Sequence, residues 1–277
     1  MAATDTQPLK QISVIIPTYR PKDYLWQCLD SLEGQTLDKE FFEIILSLNG
    51  PQEPYRQQIE QHIEQCYLFD IHLICTDEAN VSNARNKALD AACGEYIAFV
   101  DDDDYVSPTY LESLLELATP QTIPLCYPLA FRDGTATFVP FEITTDYEKL
   151  SQRTHTPFYK ARHYFAGPVY KIIHRDVIGT RRFDPHFRNG EDNLFMFLIS
   201  DHFSEVAFTK KDAVYYRRLR NESASQRHRT RREHIGNSTK LIREEIKIFV
   251  KGHYNFRFFA TRVLAEIKCI IISLVKQ

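Results

Sequence analysis

The sequence predicts an α/β fold, with a mainly parallel central sheet flanked by helices and a helical appendage at the C-terminal end. Three observations carry this. Short β-branched runs alternate with helix-spaced apolar patterns over residues 11–118. Turn-forming Gly, Pro and Asn residues punctuate them. The fourth run leads straight into four aspartates, Asp101–Asp104, and in parallel sheets ligands bind at the carboxyl ends of strands.

Gln11–Pro17 reads as a buried central strand. Leu25, Cys28, Leu29 and Leu32 follow at helical spacing and stop near Gly34. Glu43–Leu48 is a second strand closed by Asn49-Gly50-Pro51, residues 53–66 a polar helix, and Ile71–Cys75 a third strand. Val81–Cys93 is a helix ending at Gly94, and Glu95–Val100 the fourth strand. Pro108 opens a helix to about Ala118. Beyond 120, Pro120, Pro124, Pro128, Pro140 and Pro157 break the chain into short extended pieces. A helix returns over Glu191–Ser200, strands over Glu205–Phe208 and Ala213–Arg217, and the last 45 residues read as mostly helical.

With 277 residues, 43% hydrophobic and 26% charged, the chain has the profile of a soluble globular protein with a sizeable core. Nine Gly and thirteen Pro exclude collagen-like or low-complexity character. The net charge of −3 hides an asymmetry: residues 1–209 carry 17 basic and 31 acidic side chains, and residues 210–277 carry 17 and 6. An acidic body with a basic tail directs the tail at something anionic, and no nucleic-acid module accompanies it, so no nucleic-acid partner is expected. The six cysteines form no C-x-x-C pair and read as reduced core residues. The start MAATDTQPLKQ has no apolar h-region and no run of eighteen apolar residues occurs, so a cytoplasmic location is expected.

The aspartate run is the most informative segment. Continuing strand alternation would point Asp101 and Asp103 the same way, and two hard oxygen ligands on one face suit Mg²⁺ or Mn²⁺ beside phosphate oxygens. The alternative is a solvated acidic turn, with Asp104 or Ser107 capping the helix behind Pro108. No P-loop, dinucleotide fingerprint, G-x-S-x-G elbow or EF-hand pattern is present.

Four segments now resemble family 2 glycosyltransferases of the GT-A fold (Rossmann-like), of the bacterial polysaccharide and envelope type. Ser13–Tyr19 (SVIIPTY) is similar to the family's opening strand and nucleotide loop, Asn80–Asn86 (NVSNARN) to its G-x-S-x-A-R-N segment, Gly94–Asp104 (GEYIAFVDDDD) to its D-x-D segment, and Gly190-Glu191-Asp192 to its late E-D motif. The resemblance implies that Pro17, Thr18 and Tyr19 line the nucleoside pocket and that Arg85 lies near the phosphates. It implies that Asp101 and Asp103 form the D-x-D pair, holding Mn²⁺ or Mg²⁺ with Asp102 alongside, and that Asp192 is the general base. Glu191 would support the base or the acceptor. One departure is Asn49, standing where the family usually has an Asp that touches base or ribose; its amide could read a base edge instead.

The implied function is metal-dependent, inverting transfer of a sugar from a nucleotide-sugar, a UDP-sugar first, to a hydroxyl of a saccharide or lipid-linked acceptor. A divalent cation offsets the charge gathering on the diphosphate leaving group, and a carboxylate takes the proton of the incoming hydroxyl. The alternatives are a nucleotidyltransferase, disfavoured by Pro17-Thr18-Tyr19-Arg20-Pro21 after the first strand, and a non-catalytic nucleotide- or carbohydrate-binding protein on a degenerate transferase fold. Residues 1–225 would form the transferase domain, with 10–120 on the donor side and 120–225 on the acceptor side. Tyr215–Ser223 resembles a late segment that folds over the site, where Arg218 or Arg220 could clamp the diphosphate or form a solvated loop. The aromatic stretch Ser151–Lys171 reads either as an acceptor lid or as core. Residues 226–277 would form basic amphipathic helices, and docking at the inner face of the cell membrane and homodimerisation both stay open.

Overall fold

A computed structural model describes residues 10–67, 69–135, 137–220 and 230–275. The N-terminal stretch read for a leader, the 225/226 boundary and the Arg227–Arg229 part of the basic run lie outside the described residues.

The chain begins β1 (Ile12–Thr18), α1 (Tyr24–Glu33), β2 (Phe42–Asn49), α2 (Tyr55–Cys66), β3 (Ile71–Thr76), α3 (Val81–Ala91) and β4 (Tyr96–Phe99). β4, β1, β2 and β3 lie parallel in that spatial order. Every residue of β1 and β2 is buried, because helices cover both faces of a parallel sheet. Continuous apolar runs such as Phe42–Leu48 follow from that double burial. Gly94 sits where a side chain would strike the β1 backbone, 2.4 Å from the Ser13 nitrogen, so only glycine lets β4 enter beside β1.

Glu43 is the polar exception inside β2. It is 2% exposed, and its carboxylate accepts from Ser13 Oγ (2.5 Å), the Cys93 amide (2.9 Å) and Cys93 Sγ (3.0 Å). Burial pushes its pKa up, but these donors outweigh burial and leave it below the ordinary glutamate value.

The second half adds β5 (Tyr105–Val106), α4 (Tyr110–Leu115), β6 (Thr122–Leu125), β7 (Tyr127–Phe131), β8 (Phe138–Val139), α5 (Glu142–Leu150), β9 (Thr156–Pro157), β10 (Ile172–His174) and α6 (Arg175–Ile178). It ends with α7 (Glu191–Leu198), β11 (Glu205–Phe208) and β12 (Val214–Arg218). β10 joins the main sheet antiparallel to β4. β12 pairs with both β5 and β7, closing the second half over the end of β4.

Two expectations change here. The stretch 151–171 is not a lid: Phe158, Tyr164 and Phe165 are at most 3% exposed, and Phe158 packs edge-on against Phe165, Phe203 and Phe258. Its rings are the core of the second half. Of the cysteines only Cys28 and Cys126 are buried; Cys66, Cys93 and Cys269 are exposed.

The tail forms an antiparallel hairpin of α8 (Arg231–Phe249) and α9 (Phe256–Val275). Thr230 and Glu233 make a reciprocal capping box at the start of α8. Phe258 is fully buried among Phe158, Phe165 and Phe197, so the hairpin shares the core of the body.

The Glu43 network predicts that Glu43→Gln loses about 1–3 kcal/mol of stability at neutral pH in urea unfolding. Because the folded pKa lies below the unfolded one, the loss persists above about pH 4 and shrinks as the pH falls through the folded value. A gap that stays constant with pH would contradict this origin.

Candidate active site

β4 ends at Phe99, and Asp101–Asp104 form a turn rather than more strand: the Asp104 amide donates to the Asp101 carbonyl at 3.1 Å. Strand alternation therefore does not apply to the aspartates, and the four carboxylates diverge into separate partnerships. The turn is fixed from outside by the Asp101 amide donating to the Tyr215 hydroxyl (3.1 Å) and by the Arg218 amide donating to Asp104 Oδ1 (2.7 Å). Neither Asp104 nor Ser107 caps α4. Ser107 Oγ bridges to β12, donating to the Asp212 carbonyl and accepting from the Val214 amide.

The turn opens into a cavity of ≈ 870 Å³. Pro17, Tyr19, Asn49 and Arg85 reach it from one side, Glu191 and Asp192 from α7, and Arg218 and Arg220 from β12 and beyond. Thr18 does not. It is 1% exposed and donates through Oγ1 to Asp102 at 2.5 Å, so it holds the turn instead of lining the pocket. Tyr19 is 44% exposed, with Gly50 beneath its ring: a Cβ there would lie 2.6 Å from Tyr19 Cε2. Asn49 commits one amide hydrogen to the Thr18 carbonyl at 2.7 Å, tying the ends of β1 and β2 together.

Arg85 is the centre of the site. Its side chain is 5% exposed and reaches Asp192 Oδ1 at 2.5 Å, Asp101 Oδ1 at 3.4 Å and Glu191 Oε1 at 4.0 Å. The rest of the Asn80–Asn86 segment is structural. Asn80 caps α3 and donates to the Pro185 carbonyl, while Asn86 and Phe183 exchange two hydrogen bonds of 2.8 Å. These bonds fasten the stretch between α6 and α7 that leads into Gly190-Glu191-Asp192. Gly190, at φ +84°, starts α7 in a left-handed conformation, and Leu241 of α8 occupies the space a side chain would need.

Burial raises the Asp192 carboxyl above its ordinary range, with Arg85 opposing. Burial also pushes Glu191 up to about 7, its neighbour Asp192 adding to the effect. Asp102 is likewise pushed up to about 7 by burial against the Thr18 hydrogen bond, and burial raises Asp103 and Asp104. Asp103 faces Arg220, with Nε 2.6 Å from Oδ2. Arg218 does not hang free as a clamp: it is 7% exposed, stacks over Phe131, and is held by Asp133, Gln27 and the Asp103 carbonyl. Among the described residues, three metal-type ligands converge closely only at Glu43, Asp70 and His72. That group lies at the opposite, amino ends of β2 and β3 and is already paired internally.

Two residues escaped the sequence reading. Arg262 of α9 reaches Glu245 of α8 (2.6 Å) and the Asn193 carbonyl (2.6 Å), tying the hairpin to the turn of α7 next to Asp192. Lys171 is fully buried and donates to the Gly167 and Val169 carbonyls, and burial pushes it down to about 7. It braces the backbone at Gly167, where a Cβ would lie 3.9 Å from Asp192 Oδ2. Each is one cation in a stretch rich in them, with no spacing signal to mark it.

The family model for glycosyl transferase family 2 matches residues 13–181, which is more than half of the chain. The chain belongs to glycosyl transferase family 2. The putative glycosyltransferase EpsH of Bacillus subtilis is 27% identical over 216 residues, covering 74% of this chain and 60% of EpsH, so the chain spans about three fifths of that relative. Among solved structures, S. aureus TarS 1–349 in complex with UDP-GlcNAc superposes with TM-score 0.67 at 20% identity, over 95% of this chain and 71% of that one. The mannosyltransferase PcManGT of Pyrobaculum calidifontis, in complex with GDP-Man and Mn²⁺, gives 0.64 at 16% identity, over 95% and 73%. The family 2 chain therefore has the GT-A fold.

Replacing Arg85 by Met strands three carboxylates and lowers stability at neutral pH by about 3 kcal/mol, read by chemical unfolding. Arg85 holds Asp192 and Glu191 down against burial, so without it they bind protons at higher pH. The penalty is therefore largest where the carboxylates are ionised and fades as the pH drops. An equal loss at all pH values would mean that packing, not charge, explains it.

Proposed function

We propose that this chain is an inverting, metal-assisted glycosyltransferase that moves a sugar from a nucleotide-sugar, a UDP-sugar first, to a hydroxyl of a saccharide or lipid-linked saccharide. The observation that carries the reading is Arg85 holding Asp101 and Asp192 together in one cavity, where a leaving diphosphate and an incoming hydroxyl need opposite help. The nucleotide-sugars in the TarS and PcManGT structures support the donor class.

Pro17, Tyr19 and Asn49 flank the nucleoside end, the half-exposed Tyr19 ring offering a stacking face. The acceptor hydroxyl oxygen attacks C1 of the sugar, the C1–O bond to the diphosphate breaks, and the nucleoside diphosphate leaves with the electron pair. Asp192 takes the hydroxyl proton, and attack from the face opposite the leaving group inverts the anomeric centre. Arg85 fixes the orientation of Asp192, and Glu191 lies 4.0 Å from the same guanidinium nitrogen. The aspartate turn suits a divalent cation by donor chemistry: it offers hard oxygens, and burial first, with neighbouring carboxylates adding, makes Asp102, Asp103 and Asp104 harder to ionise than usual. Asp101 and Asp103 would hold Mn²⁺ or Mg²⁺, which when bound supplies Lewis-acid neutralisation of the diphosphate. Arg220, which also lines the cavity, is a second cation for the diphosphate oxygens.

Calorimetric titration of UDP, GDP, dTDP and CDP, with and without Mn²⁺, tests the donor site. One nucleotide should bind in a metal-dependent manner, and Asp103→Ala should abolish that dependence. Binding of none would favour a degenerate transferase fold. Asp192→Asn should keep nucleotide binding and lower turnover by about 10²–10⁴; full turnover in that variant would remove Asp192 as base. Since the base acts ionised and its carboxyl is raised, kcat/KM should fall on the acid side at a pH above about 4.

A further inference from the structure

Nine of the twelve large apolar side chains that stand exposed among the described residues belong to the α8–α9 hairpin. On α9, Phe256, Leu264, Ile267, Ile271 and Leu274 recur at helical spacing and share one face. Their exposures run from 39% at Ile267 to 67% at Phe256. Twenty residues make the helix about 30 Å long, and the stripe runs its length. The opposite side of the hairpin, with Leu241, Glu245 and Phe258, is buried against the body. The stripe therefore points away from the core.

Charge distinguishes what covers it. Arg257 and Lys268 border the stripe by helical position. Arg231 bonds the Leu274 carbonyl and so brings the exposed Arg231-Arg232 pair to the stripe's far end. A second copy docked by two-fold symmetry would set this basic border against itself. An anionic lipid surface neutralises the border and takes up the apolar side chains at once. No described helix is long and apolar enough to cross a membrane, so the stripe suits a helix lying in the interface plane.

We propose that the hairpin is a membrane-docking foot, seating the apolar stripe of α9 in the headgroup region of an anionic bilayer. The hairpin's inner side lines the active-site cavity through Asn237, Ser238 and Glu266. Docking would then hold the cavity beside the bilayer, a consequence that rests on the glycosyl-transfer reading and fits a lipid-linked acceptor.

The test is sedimentation of the full chain with vesicles of equal parts phosphatidylcholine and phosphatidylglycerol, and with pure phosphatidylcholine. The chain should sediment with the anionic vesicles, weakly with the neutral ones, and be released at high salt. Leu264→Glu with Ile271→Glu should lower the partition by about tenfold or more, and Lys268→Glu should weaken anionic binding alone. Far-UV circular dichroism of each variant, run in parallel, reports an intact fold. No binding of the wild-type chain, or equal binding to both vesicle types with no response to the substitutions, would overturn the proposal. So would a dimer in analytical ultracentrifugation that the double variant splits while vesicles go unbound. A wild-type chain that binds none of the four nucleotides yet sediments with anionic vesicles would remove the transferase reading and leave the foot standing.

Discussion

One buried guanidinium organises the site. Arg85 comes from α3 of the first half, Asp101 from the turn after β4, and Glu191 and Asp192 from α7 of the second half. Three carboxylates cannot approach across a low-dielectric cavity without a cation between them. Arg85 lets the two halves close at this point, and Asn80 and Asn86 fix the approach by holding the backbone at 183–185. The two terminal nitrogens of the guanidinium face these acids, while its buried Nε has no hydrogen-bond partner among the described residues.

The first half was legible because its signals are local and strong. Parallel strands buried on both faces need continuous apolar runs, and Ile12–Thr18, Phe42–Asn49 and Tyr96–Phe99 show them within a residue or two of the boundaries read from sequence. The aspartate run was legible as the end of β4, and its geometry was not. Alternation holds only while the ladder lasts, and the ladder stops at Phe99. The two late arginines show the same limit. Sequence places Arg218 and Arg220 side by side in role, yet a β12 residue stacked on Phe131 is locked and the next basic residue along faces Asp103. Partner choice over more than eighty residues of separation leaves no spacing to read.

Aromatic density misleads for a related reason. Ser151–Lys171 carries rings that suit either sugar stacking or a core, and the difference lies in neighbours supplied by Phe203 and Phe258 from far along the chain. Likewise, both sides of α9 are apolar, so periodicity alone cannot say that Phe258 goes inward and Phe256 outward. Only packing against Phe158 and Phe197 decides it.

The hairpin therefore has two jobs imposed by one set of contacts. Arg262 anchors it to Asn193, one residue from Asp192, so its inner side cannot move without moving the start of α7. Leu241 fills the space that Gly190 leaves open, which makes the same junction tight from the other direction. With its inner side fixed in this way, the hairpin's outer stripe has a fixed orientation relative to the cavity. The charge division adds direction: residues 1–209 carry 31 acidic against 17 basic side chains, and the hairpin residues 230–275 carry 4 against 9. Near an anionic surface the body is pushed away while the hairpin is drawn in. Orientation then follows from the sequence's own charge asymmetry, with no further contact needed to bring the hairpin, and the cavity it walls, against the surface.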